Sequence, residues 1–409
     1  MSSTERVNSS RNFVSEHGQQ STVKRTCHLC SVACMLHRMQ KPNGNVVDTA
    51  AGARRGIGEE AIAKTAKQLG ISREAVQLAH EHGIIDLHVD TLIPHRLYGY
   101  DWLKRHRGGP FGRHLIGHVD VPRALEGGLS GAMWSITTNP LRTAKGRWCT
   151  FLSNLRRLRA LIDSSQGRLV FVRTYSEYVA ARARGAIASM IAIQGANAIE
   201  AAPDGVGSIP EQAVVRVTLV HLTSSVFGAT SVPTSMIRFD NGLTEQGREL
   251  VHQLDGARCL VDLAHIHPHG FWDAVREHDR SLPLIVTHTG VQGVCPHWRN
   301  LSDAQLRAVA DSGGTVGILF HDGFLRPSGR AVHGALVVDH MQHVIETVGE
   351  DYVSIGSDFD GNISPPPDLA GATDYPRLVQ YMLDRGWTSE RVGKVLCGNF
   401  LRVLREVRP

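Results

Sequence analysis

Short apolar runs alternate with amphipathic segments from about residue 84 to the end of the chain. The amphipathic segments repeat their apolar residues at helical spacing, as in TEQGRELVHQLDG, GFWDAVREHD, LSDAQLRAVADSGG and GALVVDHMQHVIETVG. Eight principal apolar runs lie between them: IIDLHVDTL, GLSGAMWSI, IASMIAIQG, VVRVTLVHLT, RCLVDLAHI, LPLIVTHTG, GTVGILFHDG and DYVSIGSDFDG. Near-continuous apolar strands that alternate with helices are typical of a parallel sheet buried on both faces.

Eight strand–helix units predict an α/β fold, a closed (β/α)8 barrel of the TIM type. A further run, RLVFVRT, predicts a minor strand. The alternative is an open doubly wound sheet. A dinucleotide-binding version of that sheet is disfavoured, because no GxGxxG fingerprint follows the first apolar run. Two helices are predicted before the first strand, and Ser72 is the expected N-cap of the second.

Residues 1–55 differ from the rest of the chain. They are rich in Ser, Asn, Gly and Gln and have weak periodicity. We therefore expect a loosely ordered N-terminal arm, followed by a barrel domain over residues 56–409.

Composition narrows the functional classes. The hydrophobic content of 42% and the charged content of 20% are those of a soluble globular protein. No dense Lys/Arg block with interleaved aromatic residues is present, so nucleic acid is not an expected partner. The start of the chain lacks the apolar core of a secretory signal and no segment is long enough to span a membrane, so we expect a cytoplasmic protein without a membrane partner. The 7 scattered cysteines also fit a reducing compartment.

Ionisable side chains recur where the apolar runs end. The residues concerned are His88, Asp90, His221, His265, His288 and Asp358. In a (β/α)8 barrel the carboxyl ends of the strands meet at one rim, where active sites are built. A His-x-Asp pair such as His88 and Asp90 places both side chains on one face of a strand. Imidazoles and carboxylates gathered at one point are suited to a divalent transition metal.

A structural interpretation competes with this prediction at each position. A single histidine at a strand end is more often a hydrogen-bonded structural residue than a ligand, and His221 alone would indicate no more. Five such strand ends in one barrel favour a metal site. His267 and His269 lie beyond the strand end in HIHPHG, and we interpret them as loop residues.

From about residue 84 onwards the chain resembles the membrane dipeptidase family, also called renal dipeptidase or peptidase family M19. The segments that carry the resemblance occur in family order: DLHVDT, GGLSGAMWSI, GLTEQGRELV, LVDLAHIHPHGFWDAV, THTGVQGVCPHWRNLSDAQL, GSDFDG and GNFLRVL. The resemblance implies a barrel metallohydrolase that carries two zinc ions and cleaves dipeptides. It also suggests a homodimer.

The resemblance implies a role for each matching residue. His88 and Asp90 correspond to ligands of the first metal, and His265 and His288 to ligands of the second. Asp358 corresponds to the catalytic aspartate near the first metal. The two remaining matches concern the substrate: His221 corresponds to a histidine that steadies the tetrahedral intermediate, and Arg299 to an arginine that holds the substrate carboxylate. The alternative for Arg299 is a surface arginine just before a helix.

Gln194 departs from the family pattern, because a glutamate that bridges both metals normally occupies this strand end. An amide offers one neutral oxygen and an NH2 group that does not coordinate. Two divalent ions ~3.5 Å apart repel by roughly 19 kcal/mol at an effective dielectric constant of about 20. We therefore expect one well-held zinc on the side of His88 and Asp90, with Asp358 in support, and a second ion that is weak or absent. Rescue of the bridge by Glu200 would need an unusual loop.

The arm carries Cys27, Cys30 and Cys34 in TCHLCSVACML. This C-x2-C-x3-C arrangement resembles the start of the iron–sulfur segment of molybdopterin oxidoreductases, but the fourth cysteine that such clusters need is missing. Three interpretations stay open: an incidental or vestigial segment, a metal site completed by His28 or His37, and a redox pair.

The sequence thus predicts a zinc-dependent dipeptidase-like hydrolase that cleaves dipeptides or similar small amides with metal-activated water. One alternative is a catalytically weakened or inactive relative that binds a small peptide or an amino-acid conjugate. Another is an enzyme that tailors a specialised metabolite in the same pocket.

Overall fold

The computed structural model describes residues 57–107, 115–235, 242–326, 329 and 331–409. The predicted arm, with Cys27, Cys30 and Cys34, lies outside the described residues. Within these described residues nine strands form one sheet, and every pairing between them is parallel. They are β1 (Ile84–Val89), β2 (Leu129–Thr137), β3 (Leu169–Phe171), β4 (Ile187–Gln194), β5 (Val214–Thr218), β6 (Leu260–Asp262), β7 (Ile285–Thr289), β8 (Thr315–Ile318) and β9 (Val353–Ile355).

Eight of these strands close into a barrel, which confirms the predicted (β/α)8 fold. The order is β2-β1-β9-β8-β7-β6-β5-β4, and pairing between β2 and β4 closes the ring. The ninth strand, β3, is the predicted minor strand. It pairs with the first residues of β4, before β5 begins its own pairing at Ile191.

Helices surround the barrel in the described part of the chain. They are α1 (Glu59–Leu69), α2 (Arg73–His82), α3 (Leu92–Tyr98), α4 (Val121–Glu126), α5 (Ala144–Asp163), α6 (Tyr175–Ala183), α7 (Glu245–Gly256), α8 (Pro268–Glu277), α9 (Asp303–Asp311), α10 (Asp322–Leu325), α11 (Ala335–Val348), α12 (Tyr375–Asp384), α13 (Ser389–Gly393) and α14 (Asn399–Val407). Ser72 caps α2, because its side chain accepts a hydrogen bond from Ala75 N at 3.1 Å. None of the helices in the described segments is both long and apolar enough to cross a lipid bilayer.

The strands are mostly apolar because both of their faces are covered. Every residue of β1 and of β4 is buried. This arrangement is the one that a parallel sheet with helices outside requires. It leaves the rim at the carboxyl ends of the strands as the place where polar side chains gather.

Several regular strands are shorter than the apolar runs that predicted them. His88 and His288 lie within β1 and β7, but His265 lies three residues after the end of β6 and Asp358 three residues after the end of β9. His265 and Asp358 adopt left-handed backbone conformations, with φ of 66° and 64°. Such conformations are uncommon for residues other than glycine and cluster at functional sites.

The loop interpretation of His269 is wrong. Helix α8 begins at Pro268, two residues before the predicted helical segment GFWDAVREHD. His267 is the N-cap of this helix, and its Nδ1 accepts a hydrogen bond from His269 N at 3.2 Å. Proline in the first turn has no N–H to satisfy and has a φ suited to the helix, so the helix begins at this position.

Candidate metal centre

The rim brings the strand-end side chains together. His88 Nε2 lies 3.4 Å from Asp90 Oδ2 and 3.6 Å from Asp358 Oδ1. The rings of His88 and His288 have centroids 3.9 Å apart, and Nε2 of His288 is 2.8 Å from Nε2 of His265. Donor atoms of His88, His288 and Asp358 all lie within 4.8 Å of one another. This group takes one histidine from each of the two half-sites that the family resemblance implies.

Gln194 lies at the same rim as the last residue of β4. Its side chain is buried, and Nε2 is 3.3 Å from His265 Nε2. The next residue, Gly195, has a φ of 91°, and a Cβ atom there would lie 3.1 Å from His221 Cβ. Glycine at this position therefore permits the turn after Gln194 and leaves room for the side chain of His221.

Glu200 does not take the place of the missing glutamate. It follows a short 3-10 helix (Ala196–Ile199), and its carboxylate forms a salt bridge with Arg147. Gln194 therefore remains the residue that offers an oxygen at this strand end.

Two unpartnered oxygens indicate that the site fits a cation. Among the described residues, neither Asp90 Oδ1 nor Gln194 Oε1 has a hydrogen-bond partner, although both atoms are buried. Buried polar atoms in native proteins nearly always have partners, and those that lack one call for an explanation such as an ion. Imidazole nitrogens with carboxylate and amide oxygens are a donor set that zinc and related divalent ions accept.

Burial and neighbouring charges shift the protonation of the site residues. Burial, with a further contribution from Asp90, raises the pKa of Asp358 well above its ordinary value. Desolvation lowers the pKa of His265 and of His288 well below the ordinary value. It lowers the pKa of His221 to about 4, although part of this side chain reaches the surface. At neutral pH these three imidazoles are therefore uncharged, and uncharged imidazole is the form that ligates metals.

Arg299 is buried at the edge of the site, so its interpretation as a surface arginine is wrong. Its Nη2 donates a hydrogen bond to His288 O at 2.8 Å, while its Nε has no partner among the described residues. Desolvation lowers the pKa of Arg299 to about 10, and Asp358 opposes this shift. The guanidinium therefore stays charged at neutral pH and has an N–H available for an anionic group.

Sequence reasoning missed two charged residues beneath the rim, Arg216 and Asp262. Arg216 lies inside the barrel, with Nη2 2.9 Å from His88 Nδ1, and its Nη1 donates to Thr218 Oγ1 at 2.6 Å. Asp262 accepts a hydrogen bond from the hydroxyl of Thr287 at 2.7 Å. The available signal was a charged residue within an apolar run, as in VVRVTLVH and LVDLAH.

The comparison with known families agrees with this geometry. The sequence profile described as membrane dipeptidase (peptidase family M19) matches residues 72–409. The chain belongs to this family. Membership in the membrane dipeptidase family supports a metal-dependent hydrolase that acts on dipeptides.

Two curated proteins are similar to this chain. Dipeptidase tcpJ of Claviceps purpurea (strain 20.1) is 28% identical over 333 residues, which cover 79% of this chain and 76% of the relative. A Klebsiella pneumoniae protein described only as uncharacterized and located in the pqqA 5′ region is 39% identical over 169 residues. That match covers 41% of this chain and 61% of the relative, less than two thirds of its length.

A solved structure of a relative matches nearly over its whole length. It is a metallo peptidase from Rhodobacter sphaeroides liganded with a phosphinate mimic of the dipeptide L-Ala-D-Ala. The two chains are 28% identical, with a TM-score of 0.71, and the match covers 80% of this chain and 99% of the other.

Proposed function

We propose that this protein is a zinc-dependent dipeptidase whose centre is occupied by one tightly held ion. One observation supports this proposal above all. Donor atoms of His88, His288 and Asp358 lie within 4.8 Å of one another, and the neighbouring Asp90 has an oxygen without a hydrogen-bond partner among the described residues. The membership in the membrane dipeptidase family supports peptide-bond hydrolysis, and the relative bound to a mimic of L-Ala-D-Ala supports dipeptides as the substrate class.

The donor set accounts for a preference for a single ion. His88 and Asp90 would hold it, with Asp358 and His288 within reach, while His265 and the Gln194 oxygen contribute no negative charge. A bound zinc ion would supply Lewis acidity and would lower the pKa of a coordinated water to about 7. Without a bridging carboxylate, the repulsion between two divalent ions close together is poorly compensated.

Three other side chains would each have a separate role in hydrolysis of the substrate. Asp358 lies at the centre, with Oδ1 3.6 Å from His88 Nε2, so its carboxylate would take the proton from the attacking water and pass it to the departing amine. His221 would donate a hydrogen bond to the oxygen that becomes negative as the carbonyl is attacked. Arg299 would bind the C-terminal carboxylate of the dipeptide through its free N–H.

The test is hydrolysis of dipeptides by the purified protein, with and without added zinc. We expect release of free amino acids that depends on the metal and is abolished by a chelator. Metal binding without hydrolysis of any dipeptide would instead indicate a binding protein. The zinc identity, the cytoplasmic location and the homodimer stay predictions.

A further inference from the structure

We propose that Asp262, acting through the hydroxyl of Thr287, is a positioning residue that keeps the Nε2 lone pair of His288 free for a metal. This inference rests on the proposed function, because it concerns a ligand of the proposed centre. It adds a residue that neither the family resemblance nor the donor set identifies.

Asp262 is a buried carboxylate surrounded by donors. Its Oδ1 accepts hydrogen bonds from Thr287 N at 3.0 Å and from Ala264 N at 3.1 Å. Its Oδ2 accepts from the hydroxyls of Thr218 and Thr287, each at 2.7 Å, and lies 3.4 Å from Arg216 Nη1. Both oxygens of Asp262 therefore act as acceptors, as the oxygens of a carboxylate must.

The direction of each hydrogen bond follows from the number of available protons. The hydroxyl of Thr287 has one proton, and it donates that proton to Asp262. Thr287 Oγ1 also lies 2.9 Å from His288 Nδ1, so in this second contact it must accept. His288 Nδ1 therefore carries the proton of the neutral ring, and its Nε2 keeps a lone pair.

The neighbouring histidine fits the same assignment. The side-chain nitrogen of Gln194 can only donate, so His265 Nε2, which lies 3.3 Å from it, keeps a lone pair. This atom lies 2.8 Å from Nε2 of His288. The lone pairs of the two imidazoles therefore converge on one point, an arrangement suited to a cation.

An irregularity of the local backbone allows the side chains of Thr287 and His288 to contact each other. Adjacent residues of a regular strand point to opposite faces, but the register between β7 and β8 shifts between Val286 and Thr289. Such irregularities re-aim side chains next to active sites. The backbone of Thr287 packs closely against two glycines. A Cβ atom on Gly317 or on Gly356 would lie only 2.0 or 1.7 Å from Thr287 O, so a larger residue would not fit at either position.

A different result is expected if the hydrogen bonds among Asp262, Thr287 and His288 have only a structural role. If Asp262 served only to neutralise Arg216 and to satisfy buried hydroxyls, removal of the Thr287 hydroxyl would lower stability without changing the tautomer of His288. The proposed positioning role requires the tautomer to change. Outer-shell partners of metal-bound histidines fix the tautomer in this way, and their loss typically weakens metal binding about 10–100-fold.

The experiment measures the tautomer and the zinc affinity separately. Long-range 15N–1H correlation spectra of the metal-free full-length protein report which nitrogen of His288 carries the proton, and the His288 signal is identified by its absence in His288→Gln. Zinc affinity is measured by competition with a chelator. The variants are Thr287→Val, the conservative Thr287→Ser, and Thr315→Val as a control, since Thr315 is a buried threonine of β8 whose hydroxyl pairs with Ser354.

We expect the proton on Nδ1 in the wild-type protein and in Thr287→Ser. In Thr287→Val we expect loss of this preference and zinc affinity lower by about 10–100-fold, with Thr315→Val unchanged. A His288 proton on Nε2 in the wild-type protein overturns the inference, whether or not dipeptides are hydrolysed and whether or not any variant folds. An unchanged tautomer and affinity in folded Thr287→Val overturns it as well.

Discussion

The side-chain nitrogen of Gln194 lies 3.3 Å from Nε2 of His265. The amide of a glutamine cannot coordinate a metal through its nitrogen, and only its neutral oxygen remains for an ion. A glutamate here would bring one negative charge, shared by two oxygens, next to His265. The identity of this one residue therefore determines how much positive charge the rim can hold.

The first prediction concerns metal stoichiometry. We expect the wild-type protein to retain about one zinc per chain after gel filtration and Gln194→Glu to retain about two, because the added carboxylate compensates the repulsion between paired divalent ions. Elemental analysis of the purified proteins checks this. Dipeptide turnover should rise in the same variant.

The matched control is Glu200→Gln, which removes a nearby carboxylate that Arg147 already binds. This variant should keep the wild-type metal content. Two tightly held zinc ions in the wild-type protein would contradict the single-ion centre.

The second prediction concerns recognition of the substrate carboxylate. We expect Arg299→Ala to lower kcat/KM for dipeptides by about 10–100-fold, since a charge-assisted hydrogen bond is lost. Dipeptides with an amidated C-terminus should be affected much less, because they offer no carboxylate. Arg299→Lys should be intermediate, since lysine lacks the planar fork of donors.

Exposed Arg307 of α9 is the control for this substitution, and Arg307→Ala should retain wild-type kinetics. Equal losses for free and amidated dipeptides in Arg299→Ala would indicate that Arg299 supports the site without contacting the carboxylate.

The barrel itself was predictable from sequence, but parts of the centre were not. Strands buried on both faces leave nearly continuous apolar runs, so β1 to β9 were all recognisable, and the polar residues at the ends of these runs marked the rim. The left-handed backbone of His265 and Asp358 depends on how each loop packs. The contact between Thr287 and His288 depends on a register shift against β8. Arg216 was missed because a buried cation requires partners from other strands, here His88 and Asp262 among others.

The third prediction concerns His221. Its low pKa keeps the ring neutral, so it can donate one hydrogen bond without adding charge to the site. We expect His221→Ala to lower kcat by about 10²–10³-fold, the usual effect of removing one donor to a developing oxyanion, with zinc content unchanged. Steady-state kinetics and elemental analysis of the same preparation check both parts. A parallel loss of zinc would show that His221 is a ligand instead.

His340 connects the loop that carries Arg299 to the helical layer. Its Nδ1 accepts a hydrogen bond from Val291 N at 2.9 Å, and its Nε2 lies 3.0 Å from Leu325 O. Burial lowers the pKa of His340 to about 4. Protonation would convert Nδ1 into a donor, so it would break the hydrogen bond that anchors the start of the Arg299 loop.

The fourth prediction concerns the pH dependence of stability. Between an ordinary histidine pKa of 6.5 and the lowered pKa of about 4, the unfolded chain binds a proton that folded His340 does not. The free energy of unfolding must therefore fall as the pH drops through this window, by up to roughly 3 kcal/mol from this one group. His340→Gln should be less stable than the wild-type protein at neutral pH, and the difference should shrink towards pH 4. Urea unfolding of both proteins with a chelator present measures this, with exposed His333→Gln as the control. The other buried histidines lower the free energy of unfolding equally in both proteins as the pH falls, so their contribution cancels in the comparison. A stability difference between the two proteins that stays constant with pH would therefore exclude titration of His340.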